Sequence, residues 1–455
     1  MTIRSKFLLP ALVLMGLPAT TWATNGYFSH GTSVAEKGLA GAGVAFSQDT
    51  LAAANNPAGM VWQGARYDIG AAAFSPRRNY KATGGPSPGC DPATMSCPFS
   101  IGDGDQSIDS ENELFLIPQF GYNWVVNDES TIGVSVFGNG GMNTEYKGGT
   151  ATLYPTGPAG GPVTLPGTFG DGTAGVDLSQ LFVSTTYARK ISDTASFGIS
   201  GIIVYQRFEA KGLGNFAGFS SDPGNLTNNN HDDSTGLGVR IGFQSEISPG
   251  IRFGAAYQPK IDMSEFDDYS GLFADDGDFD IPSNFTVGMA FDIGDTGVFV
   301  IDVQQINYED VDAVSNSIDG LTDGSCAPGP TGGTGKGCLG GSDGAGFGWE
   351  DMTVVKIGYQ WRTGTKNTWR VGYSTGDQPI PSDESLFNIL APGVVEDHIT
   401  AGYSRQLDDK SSINFAAMYA LEKSVKGKSP FDPAQDIEIE MDQYEVAISY
   451  NRIIF

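Results

Sequence analysis

The sequence predicts an all-β protein: a 14-stranded antiparallel transmembrane β-barrel with an N-terminal hatch, or plug, inside its lumen. Three observations predict this fold. Long segments alternate apolar and polar residues, short turns alternate with long loops, and a glycine- and alanine-rich segment precedes the first strand. A period of two with one apolar face indicates strands that are wet on one side only. A soluble sandwich produces the same alternation, so the connections must decide between the two folds.

The N-terminus has the pattern of a secretory signal peptide. Arg4 and Lys6 precede the apolar run "FLLPALVLMGLPA", which is too short to span a bilayer comfortably as a helix. The following "TTWA" ends in the small residue Ala23. We therefore predict a signal peptide over residues 1–23, with a short membrane anchor as the alternative.

The hatch is predicted over residues 24–62. Its sequence "KGLAGAGVAFSQDTLAAANNPAGM" consists mainly of small residues. Pro57 lacks an N–H and restricts Asn56 to extended geometry, so Asn56, Pro57 and Ala58 stop a helix or turn. The lumen of a barrel with fourteen strands is too wide for its own side chains to fill, and a compact segment of this kind can plug it.

The barrel is predicted over residues 63–455. Most of its strands exceed ten residues, against the five or six that are usual in soluble sheets. The predicted strands cover residues 66–76, 111–127, 130–142, 175–191, 194–212, 232–248, 250–263, 279–293, 297–309, 347–364, 367–376, 394–408, 411–424 and 437–455.

The connections favour a membrane barrel over a sandwich. Turns such as "NDES" and "GDTG" are short, and each is followed, one strand later, by a longer loop, the last of them at residues 425–436. Short turns on one side and long loops on the other are typical of an even-stranded outer-membrane barrel.

The composition excludes several functions. The chain has 455 residues, a net charge of −27 and a pI near 4.3, which disfavours nucleic acid because phosphates require basic patches. Its only histidines are His30, His231 and His398, and none has the setting of a catalytic triad. Acidic runs lack the spacing of a calcium-binding loop. We predict no catalytic residue, no cofactor and no metal site.

The four cysteines form two local pairs. Cys90 and Cys97 lie in one Pro/Gly-rich stretch, and Cys326 and Cys338 lie in another. Disulfides formed in an oxidising compartment are the simplest interpretation. A zinc site is the alternative, but it requires tighter cysteine pairs or a nearby histidine.

Several segments resemble one known family. "TNGYFSHGTSVAEKGLAGAGVAFSQDTLAAANNPAGM" is similar to the N-terminal hatch of the long-chain fatty acid transporters of Gram-negative outer membranes (FadL type, with aromatic-hydrocarbon transporters), including Asn56-Pro57-Ala58. "RVGYSTGDQPIP", "DHITAGYSRQL" and "INFAAMYALEKSVKG" resemble their C-terminal third. The resemblance implies a monomer in the outer membrane, in contact with lipid and lipopolysaccharide. It also implies passive uptake of hydrophobic small molecules, with long-chain fatty acids as the first expected substrate. A general porin or a structural barrel is the alternative.

The resemblance also implies a transport route: capture by surface loops, hatch movement, and lateral release beside a kinked third strand. Three glycines interrupt our third strand, so the lateral opening is expected at Phe137, Gly138, Asn139, Gly140 and Gly141. A bulky residue at Gly140 or Gly141 is expected to block uptake.

Two loops carry apolar residues that either bind substrate or pack on each other. These residues are Leu213, Phe216 and Phe219 in the first loop, and Phe266, Tyr269, Leu272 and Phe273 in the second. Arg207 matches the family's strand-five arginine and is the expected internal partner of a substrate carboxylate. The second loop is acidic and would repel a carboxylate at close range, which leaves room for neutral hydrocarbons.

Overall fold

In the computed structural model, fourteen long antiparallel strands form a closed barrel. The structure describes residues 25–90, 97–155 and 160–454. The predicted signal peptide, residues 1–23, lies outside the described residues, as do Thr24 and the terminal Phe455.

The barrel strands are named β1 to β14 in chain order. They are β1 Arg66–Thr83, β2 Phe115–Asn127, β3 Ser130–Asn143, β4 Gly175–Lys190, β5 Ala195–Lys211, β6 Asp232–Ser248, β7 Ile251–Gln258, β8 Asn284–Ile293, β9 Gly297–Ile306, β10 Met352–Thr363, β11 Asn367–Gly376, β12 His398–Gln406, β13 Ser411–Ser429 and β14 Asp432–Ile453. Each strand pairs with its neighbours in sequence, and β1 pairs with β14 from Arg66↔Ile453 to Thr83↔Asp436, which closes the barrel.

The connections carry the remaining secondary structure. Four short strands, Ser100–Ile101, Gln106–Asp109, Thr150–Leu153 and Val163–Pro166, lie in the loops after β1 and β3. The described helices are short: α-helical turns at Val34–Lys37, Ala274–Gly277 and Asp312–Ser315, and 3₁₀ turns at Thr50–Ala54, Pro57–Trp62, Gly214–Phe219, Pro223–Asn225, Asp267–Tyr269, Tyr308–Asp310, Ile318–Leu321, Ser382–Glu384 and Phe387–Ile389. Among the described residues, no helix has the length and apolar character needed to cross a membrane.

The strands present an apolar belt to the outside, and their alternate residues, which include Phe74, Phe182 and Phe208 as well as small and polar side chains, are buried inside the barrel. On β14, Tyr444, Val446 and Ile448 are exposed, whereas the alternate residues Glu445 and Ala447 are buried. Tyr444 stacks near Tyr419 of β13, with ring centroids 4.7 Å apart. An outward apolar band with aromatic residues at its border is typical of a barrel in a lipid bilayer.

The sequence located all fourteen strands but misjudged the last connection. The predicted loop at 425–436 is instead a tight turn between β13 and β14, which extend together beyond the apolar belt. Charged cross-strand pairs hold this extension, with Lys428 Nζ 2.7 Å from an Asp436 carboxylate oxygen. The charged residues of this segment therefore belong to a hairpin.

Candidate functional site

The hatch lies inside the barrel and is almost entirely buried. Glycines in the wall make room for it. A Cβ atom on Gly198, Gly242 or Gly254 would lie within 2.3 Å of a hatch atom. These glycines of β5, β6 and β7 therefore allow the hatch backbone to approach the wall, a role that alternation in the sequence does not indicate.

The Asn56-Pro57-Ala58 sequence fixes the hatch to the wall. Asn56 is extended, as predicted, with φ −140° and ψ 105°. Its Nδ2 donates to the carbonyls of Val44 (2.7 Å) and Phe243 (2.9 Å), and its Oδ1 accepts from the Ala58 N–H (3.0 Å). Pro57 follows the first 3₁₀ turn and begins a second one, which leads towards β1.

Buried charges anchor the middle of the hatch. Lys37 Nζ lies 2.7 Å from both carboxylate oxygens of Glu445 on β14, and the two side chains are only 2% and 4% exposed. The Asp302 carboxylate on β9 accepts the backbone N–H groups of Gly43 (2.7 Å) and Val44 (2.9 Å). Each charge therefore has a partner on the opposite element, as burial requires.

The predicted opening in the third strand coincides with a break in the barrel wall. Pairing between β3 and β4 shifts between Gly138 and Gly141, and pairing between β2 and β3 ends at Phe120↔Val136. Beyond that pair, β3 and the start of β2 are not hydrogen-bonded to each other. A gap of this kind weakens the wall locally.

The N-terminal end of the hatch covers the gap from the lumen side. Gly141 N–H donates to the Tyr27 carbonyl (3.0 Å), and Ser29 N–H donates to the Asn139 carbonyl (2.9 Å). A Cβ on Gly140 would lie 2.1 Å from the Tyr27 oxygen. The glycine is thus needed for close approach of the hatch, and the interruption in β3 serves as a docking point.

An apolar cavity lies under the outer loops. Its volume is about 30 Å³, and its lining is almost wholly apolar. The lining residues are Val176, Phe208, Leu213, Phe216, Leu272, Phe273, Ala313, Leu339, Ala345, Gly346, Phe347, Phe387 and Leu390. We call this space the outer cavity.

The predicted capture residues pack against one another. Four of them, Leu213, Phe216, Leu272 and Phe273, line the outer cavity. Phe266 and Tyr269 lie behind it, with ring centroids 5.6 and 4.9 Å from that of Phe208, and Phe219 is half-buried against Phe431. Of the two alternatives for these residues, the structure displays packing, and substrate binding stays a prediction.

Aromatic contacts join the outer cavity to the hatch. The ring of Phe273 lies 4.9 Å from that of Phe279, which lies 6.1 Å from the ring of Tyr27. Tyr27 also contacts Trp349 at 5.9 Å and donates its backbone N–H to the Tyr308 hydroxyl at 3.2 Å. These contacts therefore link the side chains of the outer cavity directly to the segment that covers the β3 gap.

Arg207 does not face the lumen. The alternate residues Gln206 and Phe208 are buried inside the barrel, so the Arg207 side chain points outwards, 39% exposed and 3.8 Å from Asp233. The prediction that it is an internal carboxylate partner is therefore wrong in its geometry. The match considered only the residue type. The alternation of inward and outward residues along β5 would have placed Arg207 on the outer face.

Both predicted disulfides are present, Cys90–Cys97 and Cys326–Cys338. All four cysteines lie in connections between barrel strands. Cys326 and Cys338 are buried, and the adjacent Leu339 lines the outer cavity.

A closed barrel with a lipid-facing belt, a docked internal hatch and an apolar cavity defines a transport protein of the outer membrane. Residues 17–452 match the family described as "Outer membrane protein transport protein (OMPP1/FadL/TodX)". The chain belongs to this family, whose members are transport channels of Gram-negative outer membranes that carry hydrophobic compounds and are not enzymes.

Solved structures share the fold at low sequence identity. The toluene transporter TodX of P. putida is 17% identical, with a TM-score of 0.60, and the match covers 93% of this chain and 98% of that one. A FadL homologue of Pseudomonas aeruginosa is 15% identical (TM-score 0.63; coverage 94% and 100%). The toluene transporter TbuX of Ralstonia pickettii is 17% identical (TM-score 0.57; coverage 93% and 98%). No curated protein matches the chain.

Proposed function

We propose that this protein takes up hydrophobic small molecules by passive diffusion through three steps: capture in the outer cavity, movement of the hatch N-terminus, and lateral release between β2 and β3. The observation that carries the proposal is the aromatic path from Phe273 through Phe279 to Tyr27, which joins an apolar cavity to the segment covering the wall gap. The barrel acts as a monomer surrounded by lipid and lipopolysaccharide.

Burial of apolar surface supplies the affinity. Each buried methylene stabilises a bound alkyl chain by roughly 0.8 kcal/mol, so ten methylenes contribute about 8 kcal/mol before ordering costs. A volume of about 30 Å³ leaves room for a water and not for such a chain. The ligand must therefore displace side chains such as Phe216 and Phe273, and this displacement couples binding to the hatch.

Long-chain fatty acids are the first substrate to test. Neutral hydrocarbons are a second candidate, because no basic side chain is among the described residues that line the outer cavity, and Asp275, Asp276 and Asp278, which follow Phe273 in the chain, are acidic. Two of the similar structures are those of toluene transporters. The outer cavity thus selects for an apolar body, and the charge of the head group must be recognised elsewhere or not at all.

Uptake and conductance measurements test the proposal. Ala345→Phe fills the outer cavity, whereas Ala255→Phe adds the same side chain to the lipid-facing surface of β7. We expect uptake of radiolabelled palmitate or hexadecane to fall at least about 5-fold with Ala345→Phe at matched surface abundance, since overpacking destabilises by about 1–3 kcal/mol. Unchanged uptake in this variant, or free passage of salt through the purified wild type, would favour the porin alternative.

A further inference from the structure

The turn between β13 and β14 packs against the lining of the outer cavity. Phe431 in this turn is half-buried, and its ring centroid lies 5.6 Å from that of Phe219 and 6.1 Å from that of Phe216. Phe216 is buried and lines the outer cavity, whereas Phe431 does not line it. Phe431 therefore has one side in solvent and the other against the cavity wall, a position that the proposed route does not yet use.

Buried polar contacts fasten the hairpin tip, residues 429–435, to the connection that follows β1. The buried Asp432 carboxylate accepts the Ser87 N–H at 2.9 Å. The Gln435 side chain accepts the Ile101 N–H at 2.9 Å and donates to the Ile101 carbonyl at 2.7 Å. Since separation would leave buried polar groups unpaired, the hairpin tip and this connection are held together as one unit.

Phe219 is fixed to a different part of the outer surface. Its carbonyl accepts the Leu339 N–H at 3.0 Å, next to the disulfide between Cys326 and Cys338. Among the described residues, no hydrogen bond or ion pair joins the hairpin tip to residues 212–231, the connection that carries Phe219. Aromatic rings make the contact across this boundary, and rings can separate without leaving a polar group unpaired.

A second ring on the hairpin side lies at the same boundary. Phe99, in the connection after β1, donates its backbone N–H to the Phe431 carbonyl at 3.2 Å, and its ring centroid lies 5.4 Å from that of Phe216. Phe99 is half-buried, like Phe431 and Phe219. Three half-exposed rings from two separately fastened units thus surround one buried ring of the cavity lining.

We propose that Phe431 is the outer gate of the transport route, and that hydrophobic substrates enter the outer cavity when the hairpin tip moves away from Phe216 and Phe219. The inference rests on the proposed function and adds an entry step to it. Because Phe431 lies outside the cavity lining, it closes equally over the empty and the filled cavity. A gate of this kind controls the rates of entry and exit alike and leaves the binding equilibrium unchanged.

Association and dissociation rates test the gate. Stopped-flow fluorescence follows cis-parinaric acid, a fluorescent fatty acid, on mixing with purified wild type or Phe431→Ala, with empty micelles as the blank. Two lost ring contacts correspond to about a 5- to 150-fold shift in the opening equilibrium. Both rates should therefore rise at least about 5-fold in Phe431→Ala, at an unchanged Kd. The matched control Phe415→Ala removes an exposed ring from the lipid-facing side of β13 and should change neither rate.

The remaining outcomes separate the gate from the proposed function. Unchanged rates in Phe431→Ala overturn the inference, and so does faster dissociation alone, because a weaker Kd makes Phe431 part of the binding site. If Phe431→Ala does not form a heat-modifiable barrel, Phe431→Leu replaces it, and only an equal rise in both rates supports the gate. A wild type that binds neither cis-parinaric acid nor the uncharged dye N-phenyl-1-naphthylamine would instead refute the proposed function.

Discussion

Substitution of Gly140 by alanine tests how the hatch covers the wall gap. The added Cβ would lie 2.1 Å from the Tyr27 carbonyl oxygen and 3.0 Å from its carbon, whereas ordinary contact begins near 3.4 Å. The backbone of the hatch must therefore retreat by roughly 1.3 Å, the difference between the first and last of these distances. The neighbouring hydrogen bond from Gly141 N–H to Tyr27, now 3.0 Å long, cannot survive this shift.

The size of the effect follows from the hydrogen bonds that the shift breaks. The Gly141–Tyr27 and Ser29–Asn139 hydrogen bonds each contribute about 0.5–1.5 kcal/mol, so the docked state is destabilised by about 1–3 kcal/mol. The ratio of docked to undocked hatch N-terminus should then fall by about 5- to 150-fold. From these distances we expect a larger residue at Gly140 to displace the cover before it fills the gap, and therefore to raise uptake, whereas the sequence predicts a block.

Hydrogen exchange and uptake measure this prediction. Amides of residues 25–29 should exchange faster in Gly140→Ala, and basal passage of a small hydrophobic substrate should rise. Gly201→Ala on β5 is the matched control, since no atom lies within 4 Å of its added Cβ. Wild-type protection of residues 25–29 in Gly140→Ala would refute the docking argument, and faster exchange combined with lower uptake would restore the blocked-exit explanation.

Three further predictions concern the hatch anchor, the outer loops and the disulfides. Lys37→Met leaves Glu445 buried without its partner and should destabilise hatch docking by about 3–5 kcal/mol, seen as increased ion conductance, while the exposed pair broken by Lys428→Met should cost under about 1 kcal/mol. Burial, together with the Asp280 carboxylate, raises the pKa of Asp278 to about 7, so its stabilising effect on the second loop is full below about pH 4 and declines as the pH rises through 7. Hydrogen exchange in residues 261–281 should follow that course, and Asp278→Asn should abolish it. Replacing Cys326 and Cys338 by alanine should loosen the outer loops but leave a heat-modifiable barrel, because neither cysteine lies in a barrel strand; loss of the barrel on gels would contradict this.

The sequence was informative wherever one face of a strand meets lipid. Alternation such as Tyr444, Val446 and Ile448 has a single physical cause, so all fourteen strands could be located. Above the belt both faces of a strand are in water, so the alternation of apolar and polar residues no longer indicates a strand. The β13–β14 extension lies there and was missed.

The candidate site depends on contacts that sequence distance conceals. Lys37 and Glu445 are 408 residues apart, and nothing in either neighbourhood indicates that they meet. Lys37 is nonetheless the one lysine or arginine in the predicted hatch, residues 24–62, which consists mainly of small residues. An isolated cation in such a segment indicates a buried anchor. Arg77 and Arg78 are adjacent in the sequence, and only the register of β1 separates the buried Arg78 from the exposed Arg77.

The distribution of contacts along the hatch argues that only its N-terminal end moves during transport. Residues beyond Ser33 are held by the Lys37–Glu445 ion pair, the Asp302 carboxylate and the Asn56 amide. Breaking any one of these contacts would leave a buried polar group without its partner.

The segment before Ser33 is held differently. Its partners are the β3 bulge, the Tyr308 hydroxyl and the rings around Tyr27, which are the groups that a ligand entering from Phe273 would disturb. In the proposed route, a bound tail would therefore act on the weakest part of the hatch, which is also the part that covers the gap. Release of residues 25–29 alone would then open the way to the membrane while the rest of the plug still closed the barrel to ions, so hydrophobic transport and a sealed lumen would be compatible in one structure.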